Sequence, residues 1–145
     1  MVNSAATMNR ADLQQLSDIR LAEAKVLLDN GSYPGAYYLA GYAVECAIKA
    51  YIAKQTNQYD FPDKDLAQKV YTHSLESLIR AAGLRTELEQ EEKADNAFSG
   101  NWGHVSKWSE KHRYDLTKDE KDARELYTAI TDANHGVLAW LKKRW

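Results

Sequence analysis

Between His104 and Tyr114 three cations, Lys107, Lys111 and Arg113, stand against a single acid, Glu110, and Trp102, Trp108 and Tyr114 are interleaved with them. Cations of this kind meet phosphates, while aromatic faces accept unstacked bases, at about 1–3 kcal/mol per stacked base. His104 and His112 add positive charge when protonated. Lys107, Trp108, Lys111, Arg113 and Tyr114 are therefore the candidate residues for holding RNA or a nucleotide. The structural alternative is that Trp102 and Trp108 pin an irregular strap to the rest of the protein while the lysines face water.

A second group lies in the segment Ala36 to Ala53, where Glu45 and Lys49 are the only charged residues. Tyr38, Tyr42, Glu45 and Lys49 recur at steps of three or four and can share one helical face, with glutamate ahead of lysine in the favourable order. This line is either a satisfied ion pair at the edge of a core or a polar seam at a partner or ligand surface. His73, at the start of a later helix, joins Tyr42, Glu45 and Lys49 as a secondary candidate; a capping or packing role is its plain alternative. Other site classes lack their residues. The four histidines are scattered and Cys46 is the one cysteine, so no zinc pattern forms. There is no glycine-rich loop with a following lysine and no nucleophile elbow, and no cofactor or metal is implied.

The elements that must position these residues all read as helices. From Arg10 to Asn30, Leu13, Leu16, Arg20, Ala24, Leu27 and Leu28 keep helical spacing, and Asn30-Gly31 supplies a left-handed stop. Pro34 suits the first turn of a second, antiparallel helix. Ala36 to Ala53 is apolar on almost every side, the mark of a helix at the centre of a bundle. After Gln55 a polar stretch with Pro62 predicts the longest loop, with Tyr59 and Phe61 as pins onto the core. Thr72 or Ser74 can cap a short helix carrying Leu75, Leu78, Ile79 and Ala82, which Gly83 ends. Leu84 to Ala97 predicts an exposed helix with few large apolar groups. From Ser99 to Tyr114, Gly100 and Gly103 predict a helix that breaks into a strap. Thr117 and Glu120 have capping-box spacing before a long helix with Ala123, Leu126, Tyr127 and Ile130 on its apolar stripe. Asn134-His135-Gly136 marks a kink or stop before Val137, Leu138, Trp140 and Leu141.

At 145 residues with 44% hydrophobic content, the chain is expected to form one domain over 1–145, with 1–9 a flexible N-terminus. Nineteen basic residues against 21 acidic ones give a net charge of -2, so an anionic partner must meet a local patch rather than the whole field. The start of the chain has no basic and apolar leader. The apolar segment holds Glu45, Lys49 and four tyrosines, and mean hydropathy is -0.62, which argues against a membrane span. A lone cysteine on an apolar helix fits a reducing compartment, the cytoplasm. The basic tip Lys142-Lys143-Arg144 complements a helix dipole and is a weak candidate for binding.

Taken in order, RLAEAKVLLDNGSYPGAYYLAGYAVECAIKAYIAK at Arg20 to Lys54, THSLESLIRAAGL at Thr72 to Leu84, NWGHVSKWSEKHRYD at Asn101 to Asp115 and HGVLAWLKKRW at the end resemble the HEPN superfamily. The resemblance implies an all-α, up-and-down antiparallel bundle of four to five helices that often works as a homodimer. It would have a long loop after helix two and an aromatic strap before the last long helix. Members include metal-independent ribonuclease toxins, effectors of defence systems and non-catalytic domains coupled to minimal nucleotidyltransferases. The ribonuclease members carry an arginine followed, after four to six residues, by a histidine. Here Arg113 is followed at those distances by Lys118, Asp119 and Glu120. Such catalysis needs a histidine to move a proton and an arginine to stabilise charge on the phosphate. Arg113 can do the second. His112 is the nearest candidate for the first, with His104, His73 and His135 behind it, but adjacent helical residues point about 100° apart.

The resemblance thus implies a non-catalytic or weakly catalytic domain that binds nucleotide or RNA, with a nucleotidyltransferase partner in a prokaryotic toxin-antitoxin or defence setting. A ribonuclease using Arg113 and a helical dimerisation module are the alternatives.

Overall fold

The computed structural model describes residues 8–55 and 74–145, and every regular element among them is helical. The long loop expected after Gln55, its pins Tyr59 and Phe61, the cap Thr72, the candidate His73 and most of the N-terminal segment lie outside the described residues.

Helix α1 spans Arg10–Asp29 and is closed at its start by a capping box between Asn9 and Asp12. At its end Gly31 takes φ 79°, and Ser32 N–H donates to Leu27 O at 2.9 Å. Only a residue without Cβ adopts that left-handed turn freely. Helix α2, Tyr33–Gln55, then runs back along α1 with Pro34 in its first turn. Leu27 meets Gly35, and the Ser17 hydroxyl donates to Ala43 O at 2.7 Å, which fixes the antiparallel register. Ser17 is buried, so that bond also satisfies a hydroxyl that would be costly to leave unpaired.

Helix α2 is the axis of the bundle. Ala36, Ala40, Ala43, Ala47 and Ala50 are all buried on it, and α1, α3 (Leu75–Ala81), α6 (Glu120–Thr131) and α7 (Val137–Lys142) pack against it. Small side chains let these neighbours approach closely, while Val44, Ile48 and Ile52 supply the apolar area. Ser74 caps α3, and Gly83 at φ 72° ends it, with Leu84 N–H donating to Ile79 O at 3.0 Å. The stretch expected as one exposed helix up to Ala97 is two elements. Helix α4, Arg85–Ala94, buries Leu88 alone, and Asp95 then caps α5, Asn96–Val105.

Two boundaries differ from the sequence reading. Gly100 and Gly103 do not break α5, because Phe98, Trp102 and Val105 fall on one face and are all buried. Their burial outweighs the cost of about 1 kcal/mol for each helical glycine. The capping box of α6 is Asp119 with Asp122, not Thr117 with Glu120, since Asp115 accepts both the backbone and hydroxyl hydrogens of Thr117. The bundle is also cut into more pieces than four or five: seven α-helices and one 3₁₀ helix, Glu110–Tyr114, are described.

Two residues of the basic C-terminal tip are tied down by neighbours. Arg144 lies over the Trp140 ring at 4.0 Å and pairs with Glu87 at 2.8 Å, and Lys142 pairs with Asp18 at 3.1 Å. No helix among the described residues is long and apolar enough to cross a membrane.

Gly41, on the axis helix, has no room for a side chain, because a Cβ there would overlap the ring of Trp108. Replacing Gly41 with Ala gains about 1 kcal/mol of helix propensity, but overpacking a filled core costs about 1–3 kcal/mol. Gly41→Ala is therefore expected to lower the urea midpoint and to change Trp fluorescence. An unchanged or raised midpoint would show that Trp108 moves aside without loss.

Candidate nucleic-acid interface

The chain between α5 and α6 is a strap, and α2 holds it through two consecutive tyrosines. The Tyr38 ring stacks on Trp108 at 5.9 Å, and the Tyr37 ring meets His112 edge-on at 4.9 Å. Trp108 is 1% exposed, with its ring seated where Gly41 lacks a side chain. Its indole N–H has no hydrogen-bond partner among the described residues. That costs about 1–3 kcal/mol, less than the roughly 4–6 kcal/mol gained by burying 150–250 Å² of aromatic ring. Trp108 therefore offers no face to a base, a correction to its place among the sequence candidates. Trp102, buried on α5, is likewise a packing residue.

Lys111, Arg113 and Tyr114 lie together on the 3₁₀ turn and are exposed, Tyr114 at 75%. Arg113 pairs with Glu110 at 3.2 Å and places its guanidinium 4.8 Å from the Tyr114 ring centre. Lys111 has no ion-pair partner among the described residues. Leu116, just beyond, is 89% exposed. Lys107 instead lines a cleft to which Lys111, Arg113 and Tyr114 do not contribute.

His112 is not placed to serve Arg113. Its Nδ1 is 3.0 Å from Ser109 N and 3.1 Å from Ser109 O, so the turn occupies that nitrogen in either protonation state. Neighbouring residues of a 3₁₀ helix project about 120° apart, and the ring points to Tyr37 while Arg113 points to Glu110 and Tyr114. The other described histidines are committed elsewhere: His104 lies 4.0 Å from Glu125, and His135 lies 2.6 Å from Asp95.

The polar line on α2 exists as a unit. Lys49 reaches the Glu45 carboxylate at 3.2 Å, Glu45 is 2% exposed, and the Tyr38 and Tyr42 rings lie 6.0 Å apart. Tyr38 thus links this seam to the strap. Burial raises the Tyr42 hydroxyl above its ordinary value, against the opposing charge of Arg20. Arg20, which pairs with Glu23, is a member the sequence reading left on the apolar stripe of α1. Its signal was a charged residue at a core-facing position. Burial, reinforced by Glu45, pushes the Cys46 thiol up to about 12, so it stays a neutral packing group.

The fold and strap together define an all-α bundle whose central helix holds a strap bearing a basic and aromatic turn. The HEPN domain model matches residues 12–144, and the chain belongs to the HEPN family, a nucleotide- and RNA-related domain family whose members often dimerise. Neither the comparison with curated proteins nor that with solved structures found a match.

Near the start of α5, Asp95 caps the helix and accepts from His135, while Asn101 donates to His135 O at 2.9 Å. The hydrogen bond to Asp95 holds His135 above its ordinary 6.5, assisted by the charges of Asp95, Asp132 and Glu91. The same bond, with those from the α5 backbone, holds Asp95 below 3.8. The contribution of this clamp is full between those two ordinary values. It is lost as pH rises through the raised value of His135, or falls through the lowered value of Asp95. His135→Asn is expected to lower the urea midpoint more at about pH 5.5 than at about pH 9; an equal loss at both would rule out the charged pair.

Proposed function

We propose that the protein binds single-stranded RNA, or a nucleotide, on the exposed turn of the strap. Lys111 and Arg113 meet phosphates, and Tyr114 stacks on a base. The observation that carries this reading is their grouping: two cations and a three-quarters exposed aromatic ring on one turn, with the arginine already over the ring. Cations beside an exposed ring are what a single strand needs, since every base has a stacking face. Arg113 and His112 point to different neighbours, so the reading is of a non-catalytic domain. Resemblance to the family supports the wider setting: a homodimer in a prokaryotic cytoplasm, working with a nucleotidyltransferase in toxin-antitoxin or defence systems.

Fluorescence anisotropy with a labelled single-stranded RNA, in EDTA, tests the binding. Arg113→Ala and Lys111→Ala are each expected to weaken it and to reduce the salt slope by about 0.7 per lost phosphate contact. Tyr114→Ala is expected to cost about 1–3 kcal/mol, and Tyr114→Phe little. Wild-type affinity in all of these variants would sink the proposal. Cleavage of the probe that Arg113→Ala abolishes would assign a metal-independent ribonuclease instead.

A further inference from the structure

Helices α2, α5 and α6 and the strap line a cleft of about 250 Å³ whose lining includes none of Lys111, Arg113 and Tyr114. Tyr37, His104, Lys107, Lys118, Asp122 and Glu125 line it, with Leu126 as an apolar contribution. Its charges are unevenly committed. Asp122 accepts from Asp119 N–H at 3.2 Å in the α6 capping box, and Glu125 is held by His104 at 4.0 Å and Lys121 at 3.9 Å. Neither lysine makes a direct ion pair among the described residues, although the charge of Lys118 helps to lower the Asp115 carboxyl. Lys118 lies 4.7 Å over the Tyr37 ring, a contact that orients its ammonium without neutralising it. Lys107 makes neither a hydrogen bond nor an ion pair among the described residues.

Tyr37 adds a third polar group to the cleft. Its ring is largely buried, and its hydroxyl, which is bonded to no described residue, is open to the solvent of the cleft and free to donate to an occupant. Burial, with the charges of Asp122 and Asp115, raises its pKa, so at neutral pH it is a donor.

Two ammonium groups without a direct ion pair, beside a phenol donor, select an anionic head. The opposite wall carries two carboxylates whose remaining lone pairs accept from hydroxyl groups. The same carboxylates repel a polyanionic backbone running through the cleft. At about 250 Å³ the space is below the roughly 300–1,000 Å³ of sites for drug-sized ligands, so the occupant is small.

We propose that this cleft binds a small phosphomonoester of a hydroxylated ring, a sugar phosphate, with the phosphate held by Lys107, Lys118 and the Tyr37 hydroxyl and the ring hydroxyls donating to Asp122 and Glu125. This site is distinct from the RNA-binding turn, and the two fail separately.

Isothermal titration of the full chain with ribose 5-phosphate tests it, with ribose and inorganic phosphate as comparisons. Saturable binding at one site per chain is expected. Affinity should fall at least about tenfold in Lys118→Ala, as loss of one charge-assisted hydrogen bond gives, and by a smaller factor in Tyr37→Phe. The double variant Lys111→Ala, Arg113→Ala should bind as wild type. Lys118 is not part of the buried core, so its variant tests the ligand rather than the fold. No binding, an equal affinity for inorganic phosphate, or a loss confined to the Lys111 and Arg113 variant would each overturn the proposal.

Discussion

The contact between the Trp108 ring and the bare backbone of Gly41 decides where the candidate binding residues of the strap stand. Strap residues 106–119 have one 3₁₀ turn, Glu110–Tyr114, of their own and are tied to the bundle through aromatic rings. Trp108 fills the place that a side chain at position 41 would occupy, and Tyr38 covers it. With that point fixed, His112 falls on Tyr37, and the rest of the turn is left to solvent. The strap acquires two faces: Lys111, Arg113 and Tyr114 outward, Lys107 and Lys118 over the cleft.

Central helix α2 makes this possible because it is built from small residues. A helix of leucines would keep its neighbours at a distance; alanines and Gly41 let α1, α6 and an indole ring reach its backbone. The same helix tolerates one buried carboxylate, Glu45, because Lys49 lies one turn away. Ion pairs of this kind add little net stability, so Lys49 chiefly offsets the cost of burying the Glu45 carboxylate.

Local chemistry was legible in the sequence, and long-range packing was not. Asn30-Gly31, Ser74 and Gly83 mark helix ends because capping and left-handed backbone depend on the residue itself. The antiparallel pairing of α1 and α2 follows from a short turn between two apolar stripes. Gly100 and Gly103 misled, since their local penalty is smaller than the burial of Phe98, Trp102 and Val105, whose partners are distant in the chain. Thr117 lost its capping role to Asp119 because Asp115 competes for its hydroxyl. Of the candidate site, the grouping of Lys111, Arg113 and Tyr114 on one exposed turn was legible because they are neighbours in the chain. Trp108 was placed among them because nothing local reveals Gly41 as its seat, and Tyr37 was passed over because its cleft is completed by residues from α6.

Hydrogen exchange along the strap, with and without single-stranded RNA, in wild type and Gly41→Ala, tests the central claim most directly. The account expects RNA to slow exchange at Lys111 to Tyr114 in wild type and to leave α1 and α4 unchanged. It expects Gly41→Ala to speed exchange of the strap before RNA is added and to weaken the RNA effect. Protection confined to other helices, or a strap whose exchange ignores the Gly41 substitution, would contradict it.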